Sequence, residues 1–134
     1  MDQNIKFRLL CKFWEDPHIS PEEMEEMLSA GIITPDDMLI WATMNGLEQL
    51  VHVLLFEGAN PNKRGRNDKV PALFRAVEAY KGGATFTSVN MLLKAGASPH
   101  HFMEWYDMQM NRWHYGTVAV VAFKAFGVNI LKAA

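Results

Sequence analysis

Met38-Leu-Ile-Trp-Ala-Thr-Met-Asn-Gly-Leu-Glu-Gln-Leu-Val-His-Val-Leu-Leu-Phe-Glu-Gly-Ala-Asn-Pro-Asn62 reads as helix, tight turn, helix and glycine stop. Leu47, Leu50, Val51, Leu54 and Leu55 recur at i, i+3, i+4, i+7 and i+8, one stripe of a helix, whereas a strand would scatter them over both faces. Gly58 supplies the residue without a Cβ that closes a last turn, and Pro61 prevents resumption. Asn45-Gly46 makes the turn before this helix. The preceding helix is predicted from Thr34 as cap, with Pro35 first and Asp36 and Asp37 at the positive end of the dipole. Leu39, Ile40 and Ala42 carry its buried side, and the small Ala42 permits close approach of the pair.

Outward from this unit the chain repeats it. Leu39 and Ala42 match Leu73 and Ala76. Val51, Leu54, Leu55, Gly58, Ala59 and Pro61 match Val89, Leu92, Leu93, Gly96, Ala97 and Pro99, with extra residues taken up in the glycine-containing loop from Lys81 to Phe86. A two-helix unit cannot bury its apolar face alone, so stacking of neighbours is required. The period of about 33 residues resembles the ankyrin repeat. The endings Leu54-Leu55-Phe56-Glu57-Gly58-Ala59-Asn60-Pro61-Asn62 and Leu92-Leu93-Lys94-Ala95-Gly96-Ala97-Ser98-Pro99 carry that resemblance best. The family's Thr-Pro-Leu-His-x-Ala opening keeps only its alanine, at Ala42, Ala76 and Ala122. The resemblance implies an all-α solenoid of three to four helix-turn-helix repeats with projecting hairpin loops. Residues 1–33 would be an amino-terminal cap, 34–67 and 68–104 repeats, and 105–134 a long hairpin with a truncated last repeat. It also implies protein binding and no catalysis.

The chain has 134 residues, the size of one domain. Residues 1–37 hold nine acids and three bases, and the rest six acids and ten bases, so the net charge of −2 conceals a dipole along the stack. One cysteine, Cys11, rules out an internal disulfide and fits a reducing compartment. The polar amino terminus does not read as a signal peptide, and no stretch is long and apolar enough for a membrane span. A cytoplasmic location is expected, with delivery to another cell as an open alternative.

Asn4 to Trp14 is predicted helical, with Phe7, Leu10, Cys11 and Trp14 on one side. Ser20-Pro21-Glu22-Glu23 opens the next helix with a cap, a first-turn proline and a glutamate that reaches back. Met24, Met27 and Leu28 form its stripe and Gly31 ends it. Its acids either solvate a terminal face or form an acidic docking patch. The basic loop Lys63-Arg64-Gly65-Arg66-Asn67-Asp68-Lys69 has no interleaved aromatics. A protein partner with an acidic patch is therefore expected ahead of nucleic acid, which is the alternative function.

In ankyrin-like scaffolds the hairpin tips and exposed first-helix sides make contacts, and this resemblance assigns partner binding to Asp36, Met38, Arg66, Lys69, Tyr80 and Lys81, with Trp41 and Arg75 behind them; Lys63 and Arg64 join them as the start of the basic loop. Phe102 to Tyr115 exceeds a regular loop and contains Met103, Trp105, Tyr106, Met108, Met110, Trp113 and Tyr115. Rings anchor and thioethers refit, so Trp105, Tyr106, Met108, Met110 and Trp113 join the expected contacts. The same stretch could instead fold back and seal the stack.

Thr117 to Phe126 reads as a last first-helix, and Ile130 and Leu131 align with Leu50 and Val51. That leaves a poorly covered carboxyl-terminal end and, as a third reading, a self-assembling module or weak homo-oligomer. No catalytic or cofactor site is expected. His100 and His101 point to opposite faces of an extended segment, so with His114 they make no convincing metal set. Gly82-Gly83 lacks a phosphate-loop context, and Cys11 sits in an apolar stripe without a paired histidine.

Overall fold

The computed structural model describes residues 20–64 and 70–132. The helix expected over Asn4–Trp14, and Arg66 and Lys69 of the basic loop, lie outside the described residues. The elements are α1 (Pro21–Ser29), α2 (Pro35–Met44), α3 (Glu48–Phe56), α4 (Ala72–Lys81), α5 (Thr87–Lys94), β1 (Phe102–Asp107), β2 (Arg112–Thr117) and α6 (Val118–Phe126), followed by a 3-10 turn, Ile130–Lys132.

The helix starts follow local chemistry. The Thr34 hydroxyl accepts from the Asp37 N–H (3.3 Å) while the Asp37 carboxylate accepts from the Thr34 N–H (2.9 Å), a reciprocal capping box. Ser20 caps α1 by accepting from the Glu23 N–H (3.2 Å). Thr117 caps α6 in the same way through the Val120 N–H (3.3 Å).

The helix ends repeat one device. Gly31, Gly58 and Gly96 have φ of 73°, 97° and 100°, and the next residue's N–H returns to a carbonyl five residues back. These bonds are Ile32 to Met27 (2.9 Å), Ala59 to Leu54 (3.0 Å) and Ala97 to Leu92 (2.9 Å). Each reverses the chain while satisfying carbonyls that the helix leaves unpaired.

α2 packs on α3 and α4 on α5, while α2, α4 and α6 lie side by side in one row and α3 and α5 in another. The helices carrying Leu54-Leu55 and Leu92-Leu93 are therefore neighbours. The core is one continuous cluster: Met24 and Met27 of α1; Leu39, Ile40 and Ala42 of α2; Val51 and Leu54 of α3; Leu73, Phe74 and Val77 of α4; Val89 and Leu92 of α5; Val121 and Ala122 of α6. Each large member contributes about 1.5–3 kcal/mol by leaving water. The turns are laced as well. Asp36 accepts from the Asn60 N–H (2.7 Å), and Asn62 accepts from the Ser98 N–H (2.8 Å) and donates to the Gly96 carbonyl (3.0 Å). Leu47, assigned to the apolar stripe, stands at the cap position of α3 and is exposed.

The all-α expectation is overturned. β1 and β2 form a two-stranded antiparallel sheet in which Phe102 faces Thr117, Trp105 faces His114 and Asp107 faces Arg112. The cause is local composition: Phe-Met-Glu-Trp-Tyr-Asp and Arg-Trp-His-Tyr-Gly-Thr are rich in aromatics that favour a pleated, half-buried surface. The molecule is a stack of helix pairs with a β-hairpin inserted before its last helix.

Gly58 and Gly96 give the first test. A Cβ at either position would meet nothing within 4 Å, so alanine there pays only for the left-handed backbone. Gly58→Ala and Gly96→Ala are each expected to cost about 1–2 kcal/mol in urea unfolding. Gly82, whose φ of −82° suits any residue, should accept alanine without loss.

Candidate functional site

The hairpin has two chemically different faces. Cross-strand neighbours share a face and successive residues alternate. Met103, Trp105, Asp107, His114 and Gly116 turn inward, while Phe102, Tyr106, Trp113 and Tyr115 turn outward.

The inward face is anchored. Met103 is fully buried. Trp105 packs on Phe74 of α4 (ring centroids 5.1 Å), on Phe126 of α6 (5.3 Å) and on its cross-strand neighbour His114 (5.6 Å, planes 24° apart). Beyond it, His114 Nε2 lies 3.1 Å from Asp107 Oδ2, both side chains buried. The other Asp107 oxygen accepts from the Gln109 and Met110 N–H groups (3.0 and 3.1 Å), which fixes the turn. Asn111 completes that turn at φ 52°, a conformation its short polar side chain tolerates.

Burial pushes the Asp107 carboxyl pKa upward, but the Met110 N–H, His114 and the Gln109 N–H together outweigh it and hold it below the ordinary 3.8.

The outward face is open to solvent. Phe102 is 56% exposed, Tyr106 37%, Trp113 52% and Tyr115 57%, and at the turn Met108 is 84% and Met110 58% exposed. The rings support one another: Tyr106 meets Trp113 edge-on at 5.4 Å, Trp113 stacks with Tyr115 at 6.2 Å, and the Tyr106 hydroxyl donates to Asn111. Between the turn and the helices lies a groove of about 740 Å³ lined by Arg75, Glu78, Lys81, Trp105, Met108 and Phe126 among others.

The residues expected to bind a partner separate accordingly. Tyr106, Met108, Met110 and Trp113 share the open face and its turn. Trp105 points inward as a packing residue. Asp36 is engaged by the Asn60 N–H. Lys63 donates to the Thr34 hydroxyl (3.2 Å) and lies 3.9 Å from Asp37, and Arg64 donates to the Phe102 carbonyl at the edge of β1. Met38 lines a separate shallow apolar depression with Trp41, Leu50 and Val53. Tyr80 is edge-on to Phe86 (5.0 Å), and exposed Lys81 borders the groove.

Arg75 pairs with Glu78 (2.7 Å), and Trp41 is buried. Among the described histidines, His52, His100 and His101 are exposed and His114 is buried.

Sequence reasoning missed three things. Phe102 and Tyr115 belong to the open face, and Asp107 pairs with His114. The alternation of polar and aromatic residues in Arg112-Trp-His-Tyr115 was the available signal, while Phe102-Met-Glu-Trp-Tyr-Asp107 does not alternate. No protein-family model matches the chain, and neither a curated protein nor a solved structure matches it.

The two faces predict opposite mutational outcomes. Trp105→Ala is expected to destabilise by about 3 kcal/mol or more, and Trp113→Ala by about 0.5 kcal/mol or less, in urea titration. Asp107 adds a pH test. Because its folded pKa is depressed, its contribution is complete above about pH 4 and disappears as the pH falls through the folded value. Wild type should be more stable than Asp107→Asn at neutral pH, and the gap should close on acidification, read from thermal unfolding across the range.

Proposed function

We propose that the chain is a divergent relative of the ankyrin-repeat family and that it works without catalysis, by binding a protein partner through the outward face of its hairpin. The stacked helix pairs and the shared glycine ending at Gly31, Gly58 and Gly96 support the first part. One observation carries the second. Four aromatic side chains and two methionines stand in solvent on a hairpin whose opposite face is locked to the core.

A contiguous exposed apolar patch is costly to solubility, and its ordinary use is recognition. Tyrosine and tryptophan offer large contact area at low entropic cost, and thioethers adapt to the partner's relief. The groove beside the turn, with Arg75, Glu78 and Lys81 on its helix side, adds polar contacts at the rim. Cytoplasmic residence belongs to the same reading and rests on the single cysteine, Cys11. No described helix is long and apolar enough to cross a membrane.

Affinity capture from native cells tests this reading. Wild type should retain a specific protein that a Tyr106→Ala, Met108→Ala, Trp113→Ala triple variant loses, with affinity reduced by about a hundredfold or more, as for removal of hot-spot rings. Equal retention by both proteins, with circular dichroism unchanged, would refute the choice of face.

A further inference from the structure

β2 is bonded to β1 along one side, and along the other its backbone meets no strand among the described residues. The Val118 N–H donates to the His101 carbonyl at 3.0 Å, and this pair continues the register in which Phe102 faces Thr117. Antiparallel pairs alternate between exchanging hydrogen bonds and directing their groups outward. Met103 with Gly116, Trp105 with His114 and Asp107 with Arg112 therefore bond within the hairpin. Phe102, Glu104 and Tyr106, and their partners Thr117, Tyr115 and Trp113, direct N–H and C=O groups away from it. Arg64 agrees with this assignment, since it takes the outward Phe102 carbonyl at the β1 edge. The β2 edge presents the N–H and C=O groups of Trp113 and Tyr115 and the N–H of Thr117 in a row, the Thr117 carbonyl being taken by the first turn of α6.

Proteins guard such an edge with lysine, proline, a bulge or a covering element. β2 has neither lysine nor proline, and its one cation, Arg112, is at its end. Beside the edge, α6 exposes Val120, whose Cγ1 lies 3.5 Å from where a Gly116 Cβ would be, and Phe123.

We propose that the β2 strand of a second copy completes this edge, antiparallel about a two-fold axis at His114, so that two hairpins become one four-stranded sheet. The register follows from chemistry. Trp113 lies opposite Tyr115 of the second copy, and the reverse, so that two aromatic cross-strand pairs form on one face and four backbone hydrogen bonds close between them. Arg112 then falls opposite Gly116, so no like charges oppose each other across the axis. His114 faces its own counterpart while remaining bonded to Asp107 within each chain. A helix or an irregular loop could not meet donors and acceptors at this spacing. The inference goes beyond the proposed function and is independent of it, although it would set two aromatic faces side by side.

Sedimentation of the full chain from low micromolar to near-millimolar concentration tests it. The mass should rise from 15.2 kDa toward double that value. Tyr115→Lys, an edge guard, should raise the dissociation constant by about tenfold or more. Tyr115→Pro should abolish the dimer, because the N–H it removes takes no part in the β1–β2 ladder. Should proline unfold the hairpin by near-ultraviolet circular dichroism, the lysine variant decides alone.

In a mixture of isotope-labelled and unlabelled chains, intermolecular Overhauser effects should join Trp113 to Tyr115. A monomer at every concentration, as expected if a different protein's strand takes this edge, overturns the proposal. So does a dimer indifferent to Tyr115→Lys, or one without those ring contacts. Loss of the dimer with partner capture intact would leave the proposed function standing.

Discussion

A helix hairpin of about twenty residues has one apolar side and too little mass to keep it from water. Everything in this molecule follows from the mutual loan of that surface. Leu39 and Ala42 of one pair and Leu73 and Ala76 of the next are buried in one cluster on helices that pack together, as are Leu54 and Leu92 in the second row. The left-handed glycines make this possible because they reverse the chain without leaving buried carbonyls unpaired. Side-chain bonds from Asp36 and Asn62 to the following turns then hold successive pairs at a common spacing. The apolar contacts provide the energy, and the polar ones fix the alignment.

The hairpin uses the same stack as a foundation. Trp105 packs against both Phe74 and Phe126, which also touch each other and come from two first-row helices far apart in sequence, and so joins the insertion to the stack at its aromatic centre. The Asp107–His114 pair lies toward the turn from that point. One carboxylate links the two strands through the imidazole and also orders the turn through two backbone donors. All its bonds are made inside the hairpin, and the outer rings support one another, Tyr106 against Trp113 and Trp113 against Tyr115.

Sequence reasoning read the helical part well for a definite reason. Helical period, glycine stops and the Thr34-Pro35 start are local signals, and apart from Leu47 at the α3 cap these preferences agree with the tertiary arrangement. The hairpin was hidden because its signal is one of alternation. Seven aromatics and methionines between Met103 and Tyr115 look like a single patch in the sequence. Only the pleat separates Trp105, which stabilises, from Tyr106 beside it, which is free to touch something else. The bonding of Asp36, Lys63 and Arg64 was illegible because their partners, Asn60, Thr34 and the Phe102 carbonyl, are set by the spacing of adjacent turns.

The two-sided hairpin also determines what kind of change this chain can absorb over evolutionary time. Point replacements of the exposed rings Phe102, Trp113 and Tyr115 leave the inward anchor of Met103 and Trp105 in place, so that surface can drift and acquire new preferences while the fold persists. A single added or deleted residue within β1 is different: it rotates every later side chain onto the opposite side, sending Trp105 into water and an outer ring into the core. Diversity here is thus permitted in identity and forbidden in length.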